Sequence, residues 1–122
     1  MKNLLLAAVA AVSLAPAGAY AANLSGVWKV NGDFGGAITY NITCTLKEDA
    51  KSAISGDCTD PSGGTDPKVK GTATATSIDF GYDTTYQGAP IHLDYKGDLQ
   101  ANGSLKGTVD AGGPQGTFTA TR

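Results

Sequence analysis

The sequence predicts an all-β protein: an eight-stranded antiparallel up-and-down β-barrel in residues 22–122, after a cleaved signal peptide in residues 1–21. Three observations predict this fold class. Apolar and polar residues alternate with a period of two, the pattern of strands with one buried face. Turn-forming Gly, Pro, Asn and Asp separate the alternating runs at short intervals. After the first residues, no stretch shows the i, i+3, i+4, i+7 apolar spacing of a helix.

The first 21 residues have the parts of a bacterial-type secretory signal peptide. Lys2 gives a short positive region, an apolar run over 4–14 follows, and Ala19-Tyr20-Ala21 is an A-x-A cleavage site. The run is too short to cross a bilayer core of about 30 Å as a helix. We therefore expect cleavage before Ala22 and a periplasmic or secreted protein. An uncleaved membrane anchor or a buried helix is the alternative.

The mature chain contains eight alternating runs, joined in order by short turns. The residues that share one face, predicted to be the inward one, are, run by run, Leu24, Gly26, Trp28 and Val30; Ile38, Tyr40, Ile42, Cys44 and Leu46; Ile54, Gly56 and Cys58; Val69, Gly71, Ala73 and Ala75; Ile78, Phe80 and Tyr82; Ile91, Leu93, Tyr95, Gly97 and Leu99; Leu105, Gly107, Val109 and Ala111; and Phe118 and Ala120 in the eighth run, which ends at Arg122. The predicted turns are 31–36, 48–51, 60–67, 76–77, 86–90, 102–103 and 112–114. Eight strands in a meander close into a barrel without exposed edges. A two-sheet sandwich is the alternative fold.

The two cysteines, Cys44 and Cys58, are predicted to form a disulfide. An even number of cysteines in an exported chain is typical of a disulfide framework. A hairpin centred near Lys51 places the two cysteines opposite each other, and both fall on the inward phase. Cα atoms of such opposed residues can lie roughly 4.5 Å apart, which is within disulfide reach.

Composition and charge argue against several classes of function. Without the signal peptide the chain has 8 basic and 11 acidic residues, a net charge of −3, which argues against nucleic acid and anionic lipid as partners. No later segment is apolar enough to span a membrane. His92, the only histidine, falls on the outward phase with no Ser or Cys partner at a triad spacing. We therefore expect no catalytic site, metal site or cofactor, and no enzymatic activity.

The two ends of the mature chain resemble those of calycins, the superfamily of lipocalins, fatty-acid-binding proteins and avidins. Leu24-Ser25-Gly26-Val27-Trp28 is similar to the G-x-W signature of the first calycin strand, and residues 118–122 are similar to the last avidin strand, which carries a basic residue. The resemblance implies that Arg122 packs over Trp28 and closes the barrel, where a guanidinium also satisfies carbonyls. Avidins hold biotin between tryptophans of later strands. No Trp follows Trp28, so biotin binding is not expected.

Small periplasmic inhibitors of bacterial metalloproteases are a second group that the chain resembles. They are calycin barrels of about this length with a signal peptide, an S-G-x-W first strand and one disulfide. Ser25-Gly26-Val27-Trp28, Cys44 and Cys58 fit that pattern. These inhibitors insert an N-terminal extension into the protease cleft. Here only Ala22 and Asn23 precede the first predicted strand, which departs from that mechanism.

An inward-facing aromatic set is the candidate ligand-binding site. Tyr40, Phe80, Tyr82 and Tyr95 point into the predicted barrel, as does Phe118. Small inward residues of the fourth and seventh strands face them, which would leave a cavity at one mouth; plain core packing is the alternative. Tyr82 ends the fifth run and is therefore placed at the mouth. We expect Tyr82→Ala to cost only about 1 kcal/mol and Phe80→Ala several.

Three functions are compatible with these features. The first is an exported, non-enzymatic binding protein for a small, partly apolar ligand or peptide. The second is an inhibitor of a secreted protease, and the third is a structural envelope protein without a ligand. A concave mouth lined by Tyr40, Tyr82 and Tyr95 would favour the first. An ordered N-terminal arm or an exposed loop at 60–67 would favour the second, and a filled barrel the third. The sequence does not predict the oligomeric state.

The predicted disulfide can be tested by thiol titration. If Cys44 and Cys58 are bonded, the denatured, unreduced protein will show no reactive thiol. Closing a loop of about 15 residues is expected to stabilise the fold by about 3 kcal/mol, so reduction should lower the denaturation midpoint. A reduced sample that yields two thiols is the control for the titration. Two reactive thiols before reduction would contradict the pairing.

Overall fold

The computed structural model describes residues 23–59 and 66–122, which form eight antiparallel strands and no helix. The strands are β1 (Gly26–Phe34), β2 (Ile38–Glu48), β3 (Ala53–Thr59), β4 (Lys68–Ala73), β5 (Ser77–Tyr86), β6 (Ala89–Leu99), β7 (Leu105–Asp110) and β8 (Gln115–Thr121). Each strand pairs with its neighbours in sequence, and β1 also pairs with β8, so the sheet is a closed up-and-down barrel. The predicted fold class is confirmed. The predicted signal peptide lies outside the described residues.

Strict alternation of buried and exposed residues produces the barrel interior. In β2, for example, Ile42, Cys44 and Leu46 are buried while the residues between them face solvent. A strand places successive side chains on opposite faces, so one face of each strand supplies the core. The buried apolar side chains are Leu24, Trp28, Val30, Ile42, Cys44, Leu46, Ile54, Cys58, Val69, Ala73, Ile78, Phe80, Tyr82, Leu93, Tyr95, Leu105, Val109, Phe118 and Ala120. Within the described ranges, no helix has the length and hydropathy needed to cross a membrane.

The disulfide joins opposed residues of β2 and β3. Cys44 and Cys58 are register partners, their sulfurs are bonded, and both residues are fully buried. The predicted pairing is therefore confirmed. Trp28 of β1 is the other register partner of Cys44, so the bridge lies beside the largest buried side chain.

The chain before β1 closes one end of the barrel, called here the closed end. Leu24 is buried, and its carbonyl accepts a hydrogen bond from the indole Nε1 of Trp28 at 2.9 Å. Nη1 of Arg122 donates to the carbonyls of Asn23 and Ser25, and its Cζ lies 4.6 Å from the Trp28 ring centroid. The Arg122 side chain thus holds the N-terminal residues across the barrel end. The side chain is itself exposed, as expected at the end of the last strand.

The predicted turns at 31–36 and 86–90 include residues that belong to strands. β1 continues through Gly32 to Phe34, and only residues 35–37 turn. Gln87 and Gly88 make a two-residue turn with φ of 51° and 82°, the left-handed pair typical of tight hairpins. Residues 86, 89 and 90 are consequently in strands, and β5 and β6 are longer than predicted.

One predicted inward position is also corrected. Ala75 is exposed, because β4 ends at Ala73 and residues 74–77 form a turn in which the Thr74 amide donates to the Ser77 carbonyl. Ile38 keeps its predicted inward phase, but it is 39% exposed because it is the first residue of β2 and lines the open end of the barrel.

Removing the side chain of Arg122 should weaken the closed end. Arg122→Ala is expected to cost about 1–2 kcal/mol, because stacking on Trp28 and two hydrogen bonds to carbonyls are lost. Lys106→Ala removes an equally exposed cation and should change stability by less than about 0.5 kcal/mol. Urea denaturation of both variants measures the difference. Equal losses would show that Arg122 does not hold the barrel end.

Candidate functional site

The end of the barrel opposite Trp28 holds an open cavity of about 780 Å³. Ligand pockets commonly have about 300–1,000 Å³. The residues that line it are Phe34, Ile38, Thr39, Tyr40, Asn41, Ile42, Tyr82, Thr84, Thr85, Tyr86, Ile91, Leu93, Ala111 and Pro114. Most of this lining is aromatic or aliphatic, and the polar members are hydroxyl and amide side chains. A concave, mainly apolar surface of this size suits a small organic molecule.

Two long hairpins build the cavity walls. β1–β2 and β5–β6 contain strands of 9 to 11 residues, whereas β3, β4, β7 and β8 have 6 or 7. At about 3.3 Å per residue, the longer strands extend past the packed core. These hairpins supply twelve of the fourteen lining residues, and Ala111 and Pro114 from the β7–β8 connection supply the other two.

The cause of the cavity therefore differs from the one predicted. Gly71 and Gly107, the small residues expected to leave space, lie against backbone of the neighbouring strands at Asp79 and Lys96. A Cβ at either glycine would overlap a backbone carbonyl oxygen. These glycines permit close strand approach. Of the predicted small residues, only Ala111 lines the cavity.

A chain of three tyrosine hydroxyls forms the cavity floor. The Tyr95 hydroxyl lies 2.6 Å from the Tyr40 hydroxyl and 2.6 Å from the Tyr82 hydroxyl. Such distances are typical of well-formed O–H···O hydrogen bonds. Tyr40 and Tyr82 line the cavity, whereas Tyr95 is fully buried behind them. The apolar walls therefore end on a polar, hydrogen-bonded layer.

Aromatic packing fills the barrel below that layer. The Phe80 ring stacks on Tyr95 with centroids 4.7 Å apart and planes 5° from parallel. Phe118 packs edge-on against Tyr95, with centroids 5.1 Å apart. Offset-stacked and edge-to-face contacts of this kind stabilise beyond simple burial. Phe80 thus belongs to the solid half of the barrel and does not line the cavity.

Burial raises the pKa of the Tyr40 and Tyr95 hydroxyls. Desolvation raises the pKa of Tyr40 above its ordinary value of 10.0, partly opposed by the hydrogen bond to Tyr95. Burial, and then the neighbouring Tyr82 and Tyr40, raise the pKa of Tyr95 far above 10.0. A raised phenol pKa means that the neutral form persists to higher pH. At neutral pH both groups can therefore donate and accept hydrogen bonds.

Gly32 of β1 fixes the position of the Tyr40 ring. The two residues are register partners, and the Tyr40 ring lies over the space that a Cβ of Gly32 would occupy. An aromatic ring lying across a cross-strand glycine covers backbone that would otherwise face the cavity. The absence of a side chain at Gly32 therefore leaves room for the Tyr40 ring in the position from which its hydroxyl reaches Tyr95.

The outer face of β6–β8 carries a separate polar groove of about 360 Å³, lined by His92, Asp94, Lys96, Thr108, Asp110 and Gln115. His92 Nδ1 lies 2.8 Å from Asp83 Oδ1, but both side chains are exposed, so the pair contributes little stability. Partial burial, and then the hydrogen-bonded carboxyl of Asp79, raise the pKa of Asp94. Across residues 23–59 and 66–122, no three metal-ligating side chains form a cluster.

Of the four predicted ligand-binding residues, two line the cavity and two lie behind its lining. Tyr40 and Tyr82 line the cavity, Tyr95 supports them from behind, and Phe80 lies deeper in the core. Tyr82 is only 3% exposed and β5 continues four residues beyond it, so its predicted place at the rim is wrong. Its removal should therefore cost more than the 1 kcal/mol or so that a rim residue would.

Sequence reasoning missed the residues that extend the walls, namely Phe34, Tyr86 and Thr84. Tyr86 and Thr84 continue the inward phase of Tyr82 at intervals of two. The predicted fifth run stops at Tyr82, and the predicted turn at 86–90 removes Tyr86 from the strand, so neither residue is predicted to line the mouth. Phe34 falls within the turn predicted from the glycines around it, although it is the last residue of β1.

Comparisons of the chain with family models, with curated proteins and with solved structures find no match.

Two alanine substitutions should distinguish the filled half of the barrel from the open half. Phe80→Ala removes a ring packed on all sides and is expected to cost about 3–5 kcal/mol. Tyr40→Ala is expected to cost about 1–2 kcal/mol, because it enlarges an existing cavity and removes one hydrogen bond. Chemical denaturation measures both. Equal, large losses would show that the barrel is packed to its end.

Proposed function

We propose that this chain is an exported, non-enzymatic binding protein that holds a small, partly apolar ligand in the open end of a calycin-like barrel. The observation that carries the proposal is the cavity of about 780 Å³ above the tyrosine layer. Interiors of proteins are normally close-packed, with few voids larger than a water molecule. An apolar cavity of this size at a barrel mouth is therefore a feature that binding would explain.

Further features of the described residues support parts of this proposal. The Cys44–Cys58 disulfide fits an oxidising compartment and thus export. The cavity lining contains no His, carboxylate or amine side chain, which favours binding over acid–base catalysis. The Arg122 guanidinium over Trp28 at the closed end agrees with the arrangement that the calycin resemblance implies.

The two alternative functions have weaker support. An inhibitor that inserts an N-terminal arm needs that arm to be accessible. The described residues 23–25 instead lie across the closed end, held by Trp28 and Arg122. A structural protein without a ligand would be expected to have a filled barrel, and this barrel is open above Tyr40 and Tyr82.

Titration with the fluorescent probe N-phenyl-1-naphthylamine tests the proposed function. The probe is uncharged and apolar, and we expect its emission to increase and shift to the blue with a stoichiometry of one. Thr84→Trp places a large side chain inside the cavity and should weaken binding by about tenfold or more, which is ~1.4 kcal/mol.

Thr72→Trp is the matched control, because Thr72 is exposed on the outer face of β4. It should bind the probe as the unmodified protein does. The proposal fails if the unmodified protein does not bind the probe, or if both Trp variants bind it equally well.

A further inference from the structure

We propose that the cavity selects an uncharged ligand whose carbonyl or hydroxyl group hydrogen-bonds to Tyr40 at the floor, and that it discriminates against carboxylates and other ionised ligands. This inference rests on the proposed function and specifies the chemistry of its ligand. It follows from three observations: the absence of charge in the cavity lining, the acidic surroundings of the mouth, and the position of the Tyr40 hydroxyl.

The lining offers no partner for a buried charge. All fourteen residues that line the cavity are uncharged. Every Lys and Arg among the described residues is exposed, and Arg122 lies at the opposite, closed end. Transferring a carboxylate from water to an apolar site without a partner is strongly unfavourable. An anionic ligand would have to leave its charged group outside the mouth.

The mouth itself is bordered by carboxylates. Asp33 pairs in register with the lining residue Thr39, Asp83 lies between Tyr82 and Thr84 in β5, and Asp110 precedes Ala111. These side chains point outward, and Asp83 also contacts His92 at 2.8 Å, but charges beside the mouth still act on an entering ligand at a range set by ionic strength. Their field disfavours an anionic group at the mouth, where it would otherwise remain hydrated.

A cation would be attracted to the mouth but would gain no ion pair inside, because the three aspartates face outward. The rings of Phe34, Tyr40 and Tyr82 could contact a cation through their π faces. That attraction must offset the desolvation of the cation, and no carboxylate of the lining helps to do so. The uncharged ligand is therefore the class that the cavity favours.

Tyr40 supplies the polar contact. A phenol hydroxyl has one donor and two acceptor positions, and Tyr40 uses one of them with Tyr95. If Tyr95 donates to Tyr40, the Tyr40 hydrogen is available to a ligand carbonyl. If Tyr40 donates to Tyr95, its two lone pairs can accept from a ligand hydroxyl. In either direction of the hydrogen-bond chain, Tyr40 offers a partner to an uncharged polar group. One such hydrogen bond does not compensate for the hydration that an ionised group would lose.

Displacement of the bound probe by matched compounds tests the inference. Octanol, octanoate, octylammonium and octane share one chain length and differ in the end group. At neutral pH octanol should displace the probe at a concentration about tenfold or more below that of octanoate or octylammonium. It should also be more effective than octane, by the roughly two- to tenfold that one neutral hydrogen bond contributes.

Tyr40→Phe removes the hydroxyl and keeps the ring over Gly32. In this variant octanol should lose its advantage over octane, because its hydroxyl no longer has the Tyr40 partner. A single cooperative thermal unfolding transition would show that the variant is folded.

The outcomes distinguish the inference from the function on which it rests. If the unmodified protein does not bind the probe, the proposed function fails. If it binds the probe but octanoate or octylammonium competes as well as octanol, only the selection for uncharged ligands is overturned. An octanol advantage that persists in Tyr40→Phe would overturn the assignment of Tyr40 as the polar contact.

Discussion

The features of the interior depend on the pairing of β1 with β8, which runs from Lys29↔Thr121 to Asp33↔Thr117. This ladder converts a meander into a closed surface with no unpaired edge. A closed eight-stranded barrel is just wide enough for one layer of side chains to fill. The inward residues thus meet across a short distance, and whether they fill the space depends on their size at each level. Arg122, one residue beyond this ladder, holds residues 23–25 against the closed end of the barrel.

Closure and strand length together divide the interior into two halves. Around Trp28, Phe80 and Phe118 the inward side chains are large and buried. Above Tyr95 the walls continue because β1–β2 and β5–β6 are longer than the other hairpins. The lower half supplies the stability of the fold. It therefore leaves the upper half free to remain unfilled, which is the arrangement expected where binding sites are mounted on a rigid scaffold.

The strand phases were predictable from the sequence because one-sided burial imposes a period of two on every strand. The same periodicity placed Cys44 opposite Cys58 and the tyrosines inward. Strand ends were less predictable, since Gly32 lies within a strand to accommodate the Tyr40 ring and Gln87 adopts a left-handed conformation that its residue type does not signal. The cavity depends on those strand ends, so its aromatic floor could be predicted while its walls and the reason for its existence could not.

The tyrosine layer links binding to stability. Tyr95 has a fully buried hydroxyl, and burying such a group without hydrogen bonds would be costly. Its two partners, Tyr40 and Tyr82, are the residues that line the cavity. The hydroxyls that a ligand would meet are therefore positioned by the need to satisfy the core. A ligand that hydrogen-bonds to Tyr40 would extend the existing chain of tyrosine hydrogen bonds. No further polar side chain would have to be ordered, which reduces the entropic cost of recognising the ligand.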